Sequence, residues 1–388
     1  MLDEKLLQER LEQFNPEPLV PLDHNLEKEE IESDVIQKDE NTIDLVKVNF
    51  LNFLDNDEIK KSCENTIRKY GVGTCGPRAF YGTTDLHLDL EKRLAEFLRT
   101  ESSIVYSYGF VAISSSIAAY CKRSDTVFID EKSNIAIRQG LQTSRCTVVE
   151  FKHNDSNSLK EEVEKVIKKE GKKRSRKFLI VEGVSWATGK LLPLEEFLNV
   201  AEANKMRIFL EETYSIGVYG KHGRGLTEHF DIDPARIDMI IATLETSVGS
   251  IGGFCAGSET IIEHQSLSGS GYIFSASLST FLVQACIEAV NIMESTPQIF
   301  EDLKTLAKDV HNFLTEVGFE VESDPESAFK VFKAGGNEEK IYSYCKENGV
   351  HLIHNKENVL VMNLNIELSK DKKKIQKVYD VLKQASAL

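Results

Sequence analysis

Between Asn41 and Gly257 the chain alternates short apolar runs with helical segments, and this alternation restricts its possible folds more than any other feature. The runs are SSIVYSY (102–108), DTVFID (125–130), TVVEF (147–151), KFLIVEG (177–183), RIFLEE (207–212), DMIIATL (238–244) and GGFCAG (252–257). Most are apolar throughout and do not alternate. Strands read this way when helices cover both of their faces. Between them lie helical patterns such as LHLDLEKRLAEFLRT and SNSLKEEVEKVIKK, the second opening on Asn and Ser. The alternation predicts an α/β fold built on a seven-stranded, mainly parallel sheet. The last two runs are joined by a short turn, which predicts an antiparallel edge strand rather than a helical crossover.

The flanks read differently. Leu2, Leu6, Leu7, Leu11 and Phe14 fall near one face of a predicted amphipathic helix, and NPEPLVP stops it. An acidic arm follows to about residue 40. After a long helix near 277–294 the texture changes. Short runs FEVES, AFKVF, VHLIH and VLVMNLN alternate with helical patterns near 298–316, 337–348 and 369–385. The chain of 388 residues therefore divides into an N-terminal helix and arm (1–40), a large α/β domain (41–295) and a smaller α/β domain (296–388).

Composition excludes several function classes. The formal net charge is −15, which argues against nucleic acid, whose binding rests on cationic contacts to phosphates. The one basic run, KKEGKKRSRK (168–177), reads as a solvated loop between helix and strand. The seven cysteines form neither a CxxC pair nor a metal-like cluster with histidines, so they read as free thiols in a reducing compartment, with no metal site. MLDEKLLQER is charged from the start and does not read as a secretory leader. No stretch reaches the roughly 18 apolar residues that span a bilayer.

Four stretches carry candidate chemistry. YGVGTCGPRAFYGTTDLHLDLEKRLAEFL (70–98) places Gly71, Gly73, Gly76 and Gly82 before a helix, where the backbone could approach a ligand or another chain; a structured surface loop is the plain alternative. Tyr108-Gly109-Phe110 follows a strand and opens a helix, whose N-terminus favours a phosphate, or it is simply a tight turn. LEETYSIGVYGKHGRG (210–225) ends a strand in two carboxylates and enters a glycine-rich loop. α/β sheets place their chemistry at such strand ends, although an acidic end facing solvent would look the same. The fourth is the turn Thr243-Leu244-Glu245-Thr246-Ser247.

In order and spacing these stretches resemble the α-oxoamine synthase family, pyridoxal-phosphate enzymes of the aminotransferase fold that condense an amino acid with an acyl thioester. The matching segments are Gly71–Arg78, His87–Glu91, Tyr108–Phe110, Asp130–Asn134, Glu182–Gly183, Glu211–Gly217 with Gly223–Gly225, and Thr243–Thr246. Four positions depart together. Thr246 stands where the family carries its Schiff-base lysine, Glu211 where it has the aspartate facing the pyridinium nitrogen, Tyr214 for a histidine, and Asn134 for the histidine that stacks on the cofactor. A threonine hydroxyl cannot form the imine that covalent pyridoxal chemistry needs.

The pattern is similar to the branch whose members lack the lysine, as YGVGTCGPRAFYGT, HLDLE, YSYGF, FKHND, HGRGLTEH, SIGGFCAG and SGYIFSASL indicate. The resemblance implies a heterodimer in which a lysine-bearing catalytic subunit holds pyridoxal 5'-phosphate and condenses L-serine with palmitoyl-CoA to 3-ketosphinganine. It implies that Cys75, Arg78 and Tyr81 reach the partner's active site, and that Ser275 and Ser277 bind the partner's cofactor phosphate. It further implies a place on the cytosolic face of the endoplasmic reticulum membrane through partners, including small membrane regulatory subunits. Two readings compete: a scaffold contributing no active-site atoms, and an active homodimer using another amine such as Lys221 or Lys132.

Overall fold

The computed structural model describes residues 42–170, 175–355 and 357–388. The helix expected at 2–14, the acidic arm and the middle of the basic run lie outside the described residues. Residues 43–388 form one compact unit.

A short strand β1 (Ile43–Asp44) precedes the main sheet. All seven apolar runs become strands of that sheet: β2 (Ser102–Tyr106), β3 (Thr126–Asp130), β4 (Thr147–Phe151), β5 (Lys177–Glu182), β6 (Arg207–Glu211), β7 (Met239–Thr243) and β8 (Gly253–Gly257). Their order is β2-β8-β7-β6-β5-β3-β4. The β3–β4, β3–β5, β5–β6 and β6–β7 pairs are parallel, and β8 is antiparallel to both neighbours.

The interior strands are buried on both faces, which is why their sequences do not alternate. Val127, Ile129, Phe178, Ile180, Phe209 and Ile241 pack on one side with Ile113, Ile117 and Ile137 of the helices Gly109–Tyr120 and Ile135–Ser144. Phe128, Leu179, Val181, Leu210 and Ile240 pack on the other with Phe197, Leu198 and Val290. The edge strand β4 is the exception, largely exposed, with Val148 41% accessible.

Two expectations are corrected. β8 is antiparallel but not an edge strand, because β2 pairs along its far side. The short turn from β7 decides which strand lies beside β8 on one flank and leaves the other flank to distant sequence. The helix Ser156–Lys169 is capped by Asp155, whose carboxylate accepts from the Asn157 and Ser158 amides, and not by the Asn and Ser within it.

The C-terminal residues add β9 (Glu320–Val321), β10 (Phe329–Lys333), β11 (Val350–His351), β12 (Ile353–His354) and β13 (Leu360–Asn363). Four of them form an antiparallel sheet ordered β12-β13-β10-β9, while β11 pairs in parallel with β1. The segment after β1 is then threaded between the two sheets' ends. The Phe50 amide donates to Thr246 O at 3.2 Å and the Ile366 amide to Phe50 O at 2.8 Å, and the Phe50 side chain is fully buried. Phe50→Ala therefore opens a cavity where three distant segments meet. It is expected to lower stability by about 3–5 kcal/mol, read as a reduced urea midpoint with an unchanged denaturant slope.

Candidate functional site

The carboxyl ends of β3, β5, β6 and β7 open on one crevice, and the four departing residues of the sequence gather there. Asn134 follows β3 and caps the helix Ile135–Ser144, its Oδ1 accepting from the Ile137 amide at 3.0 Å. Its Nδ2 donates to Glu182 Oε1 at 3.0 Å. Glu182 ends β5 and lies in register beside Glu211 at the end of β6. Glu211 accepts from the Thr213 amide at 2.9 Å and from the Thr213 hydroxyl. Thr246, in the turn after β7, is buried and donates its hydroxyl to Thr213 O at 2.7 Å. Tyr214 fills the remaining space, its ring 5.0 Å from Phe329 and 6.4 Å from Phe50.

These groups satisfy one another. No lysine amine takes part in these contacts, and the Thr246 hydroxyl is engaged to backbone. Lys132 and Lys221, the alternative amines, are exposed. Lys330 is the amine most perturbed among the described residues, held down to about 7 by burial, but its Nζ donates to Asp324 O and Pro325 O at 3.0 and 2.9 Å in a fully buried site.

Three carboxyls beneath the crevice are buried. Desolvation raises Glu182 well above the usual carboxylate range, and the Glu211 charge raises it further. Desolvation likewise raises Glu211 against the opposing Thr213 bonds. Glu212 is pushed up to about 8 by burial, although its carboxyl accepts from Ser215 Oγ and both of its oxygens accept from the Leu226 amide, at 3.1 and 3.2 Å. Glu245, in the same turn as Thr246, lies at the crevice mouth. Its pKa is raised by desolvation and lowered by a bond from the Gly109 amide.

A second group is built around the glycine-rich loop. Gly76 O accepts from the Ser277 amide and hydroxyl, both at 3.0 Å, and Pro77 bridges to Ala276. Gly82 is required here, since a Cβ would fall 1.9 Å from Gly76 O. Arg78 turns inward. Its guanidinium makes a two-pronged pair with Glu91 at 2.8 and 2.9 Å, bonds Thr83 Oγ1 at 3.0 Å, and lies 5.3 Å from the Tyr272 ring. Glu91 also accepts from the Val105 amide at 2.8 Å, tying the loop to β2. Ser275 donates its hydroxyl to Gly271 O. Cys75 is exposed in left-handed backbone at φ 61°, and Phe80, Tyr81 and Phe274 are exposed beside it.

The remaining motifs are structural. His87 is sealed, Nε2 donating to Leu278 O at 2.8 Å and Nδ1 accepting from the Thr84 amide at 3.2 Å; burial lowers its pKa to about 4. In FKHND, His153 joins Asp130 to Thr188 Oγ1. In HGRGLTEH, Glu228 accepts from the His222 and Arg224 amides. Sequence reasoning gave no part to Thr213, and it marked Glu212 only as the second carboxylate of a strand end and Glu245 only as a member of the turn 243–247; their positions beside known motifs were the available signal.

The sequence profile of aminotransferase class I and II proteins matches residues 44–382. Long chain base biosynthesis protein 1b of Oryza sativa subsp. japonica is 40% identical over 334 residues, covering 83% of this chain and 69% of that one. Serine palmitoyltransferase 1 of Dictyostelium discoideum is 38% identical over 320 residues, covering 80% and 67%. The structure of Sphingomonas wittichii serine palmitoyltransferase superposes with a TM-score of 0.83 at 23% identity, covering 89% of this chain and 87% of that one. A structure of SPT with a PLP internal aldimine gives the same TM-score at 24% identity and the same coverage. Both structural likenesses are likenesses of fold.

Two outcomes follow from the geometry. The buried carboxyls bind protons in the native chain that the unfolded chain releases above pH 4.5, so stability falls as pH rises from there to about 8. Chemical denaturation at stepped pH is expected to show this decline, and Glu212→Gln to flatten it. Arg78→Ala leaves Glu91 half-sealed without its cation and is expected to cost about 3 kcal/mol in the same assay.

Proposed function

The chain belongs to the aminotransferase class I and II family, in the branch of long chain base biosynthesis protein 1, and on that premise we propose that it is the non-catalytic but required subunit of a heterodimeric serine palmitoyltransferase. The complex condenses L-serine with palmitoyl-CoA to 3-ketosphinganine at the first step of sphingolipid synthesis. One observation carries the reading: the Thr246 hydroxyl, which we assign to the imine position, is bonded to Thr213 O. The crevice around it does not fit a covalently held pyridoxal phosphate. It lacks the amine, Asn134 is paired with Glu182 and Glu211 with Thr213, and an acid sits at the helix N-terminus that would face a phosphate. The cofactor of the complex therefore belongs to the lysine-bearing partner.

What this chain supplies is a shaped surface. The Arg78–Glu91 pair and the Gly76–Ser277 bonds hold the loop 74–82 against the 271–277 segment. That frame presents Cys75, Tyr81 and Ser275, with Phe80 and Phe274 exposed around them. An apolar cluster of this kind on a soluble fold suits burial against another chain. We assign Cys75 and Tyr81 to contact with the partner's reacting centre and Ser275 to its cofactor phosphate, with Arg78 and Ser277 positioning the loop. No helix among the described residues is long and apolar enough to cross a membrane. We place the complex on the cytosolic face of the endoplasmic reticulum membrane, held there by the partner and small membrane subunits.

The test pairs two expressions, this chain alone and this chain with a lysine-bearing catalytic subunit. Condensation activity and a visible imine band are expected from the pair only; either one from this chain alone overturns the reading. Tyr81→Ala is expected to lower turnover of the pair by about tenfold or more, the scale of a misplaced reacting geometry, while the pair still co-elutes. Full turnover in that variant would favour a scaffold that contributes no active-site atoms.

A further inference from the structure

The turn between β7 and β8 brings Glu245 to the start of the helix Gly109–Tyr120. Thr243 packs so tightly on Gly109 that a Cβ there would meet Thr243 Cγ2 at 2.4 Å, and it would meet Glu245 Oε1 at 3.2 Å. Gly253, which opens β8, would likewise drive a Cβ to 2.9 Å from Gly109 Cα. The turn therefore cannot withdraw from the helix end without breaking the sheet's own packing. That helix is twelve residues long, and its N-cap, Tyr108, offers no side-chain acceptor to the first-turn amides. Such an end carries partial positive charge and unpaired N–H groups, and it attracts an anion. The group it receives is the Glu245 carboxyl, whose Oε1 would stand only 3.2 Å from a Cβ placed on Gly109.

We infer that Glu245 is the resident anion of this crevice, supplying from within the chain the charge that a bound phosphate monoester would otherwise bring, and so barring such ligands. The inference rests on the reading that this chain holds no cofactor of its own, and it gives that reading a second, separable cause. The loss of an amine at Thr246 prevents a covalent bond. Glu245 acts on the non-covalent part, because a phosphate dianion placed at the Gly109 amide would stand against a carboxylate of like charge. Thr243 Oγ1, buried at the same spot, has no hydrogen-bond partner. A polar atom left unpaired there is consistent with a cradle whose geometry outlasted its ligand.

The test is a titration with inorganic phosphate, against chloride at matched ionic strength, on the complex with its partner site first saturated with pyridoxal phosphate. Binding is read by phosphorus NMR line width and by thermal shift. The wild type is expected to show no saturable phosphate effect. Glu245→Ala is expected to melt lower and to bind phosphate saturably, with the lost stability restored. Glu245→Gln, which keeps the shape without the charge, is expected to bind it at least about tenfold more tightly than the wild type, as removal of like-charge repulsion at a helix end requires. Saturable binding by the wild type overturns the inference, as does indifference of both variants with native circular dichroism. If neither variant folds, the wild-type titration decides alone. Phosphate binding by the wild type, with activity still confined to the pair, would remove this inference and leave the subunit reading standing.

Discussion

Parallel strands that end together leave backbone and side-chain polar groups facing one crevice, and a buried polar group without a partner costs about 1–3 kcal/mol. In a cofactor enzyme the ligand meets much of that demand. Here the chain meets it with its own side chains. Asn134 bonds Glu182, Thr213 bonds Glu211, and Thr246 bonds the Thr213 carbonyl. Each departure from the family pattern is also a closed hydrogen bond or a packed ring. This is why four substitutions can stand together without unravelling the sheet beneath them.

The same economy explains the carboxyls. Glu182, Glu211 and Glu212 are too buried to carry full charge side by side, and desolvation raises all three. A pyridinium cation would lower such pKa values and stabilise the charged form. The carboxyl nearer solvent, Glu245, lies instead beside the start of the helix Gly109–Tyr120.

The two halves of the reading meet at the glycine-rich loop. It is held by a sealed ion pair and by backbone bonds to the 271–277 segment, so it is a rigid presentation surface and not a flexible flap. Rigidity at such a surface lets one chain complete another's site at small entropic cost. Cys75 in left-handed backbone and Tyr81 at 77% exposure are the outward part of that frame.

Much of this was legible in the sequence, because strand placement depends on local apolar character. All seven strands of the main sheet fell within the apolar runs, and Thr246, Glu211, Tyr214 and Asn134 stood out against the pattern that the resemblance implied. Which residue types stand at these positions was therefore decided by sequence. What they bond to was decided by tertiary structure. β8 lies inside the sheet because β2, far away in the chain, pairs with its outer side. Arg78 faces inward because Glu91 waits on the next helix, and Glu245 finds Gly109 only once the sheet is assembled. Residue type fixes what a side chain can bond to, but which bond forms depends on neighbours that only the completed fold brings within 3 Å or so.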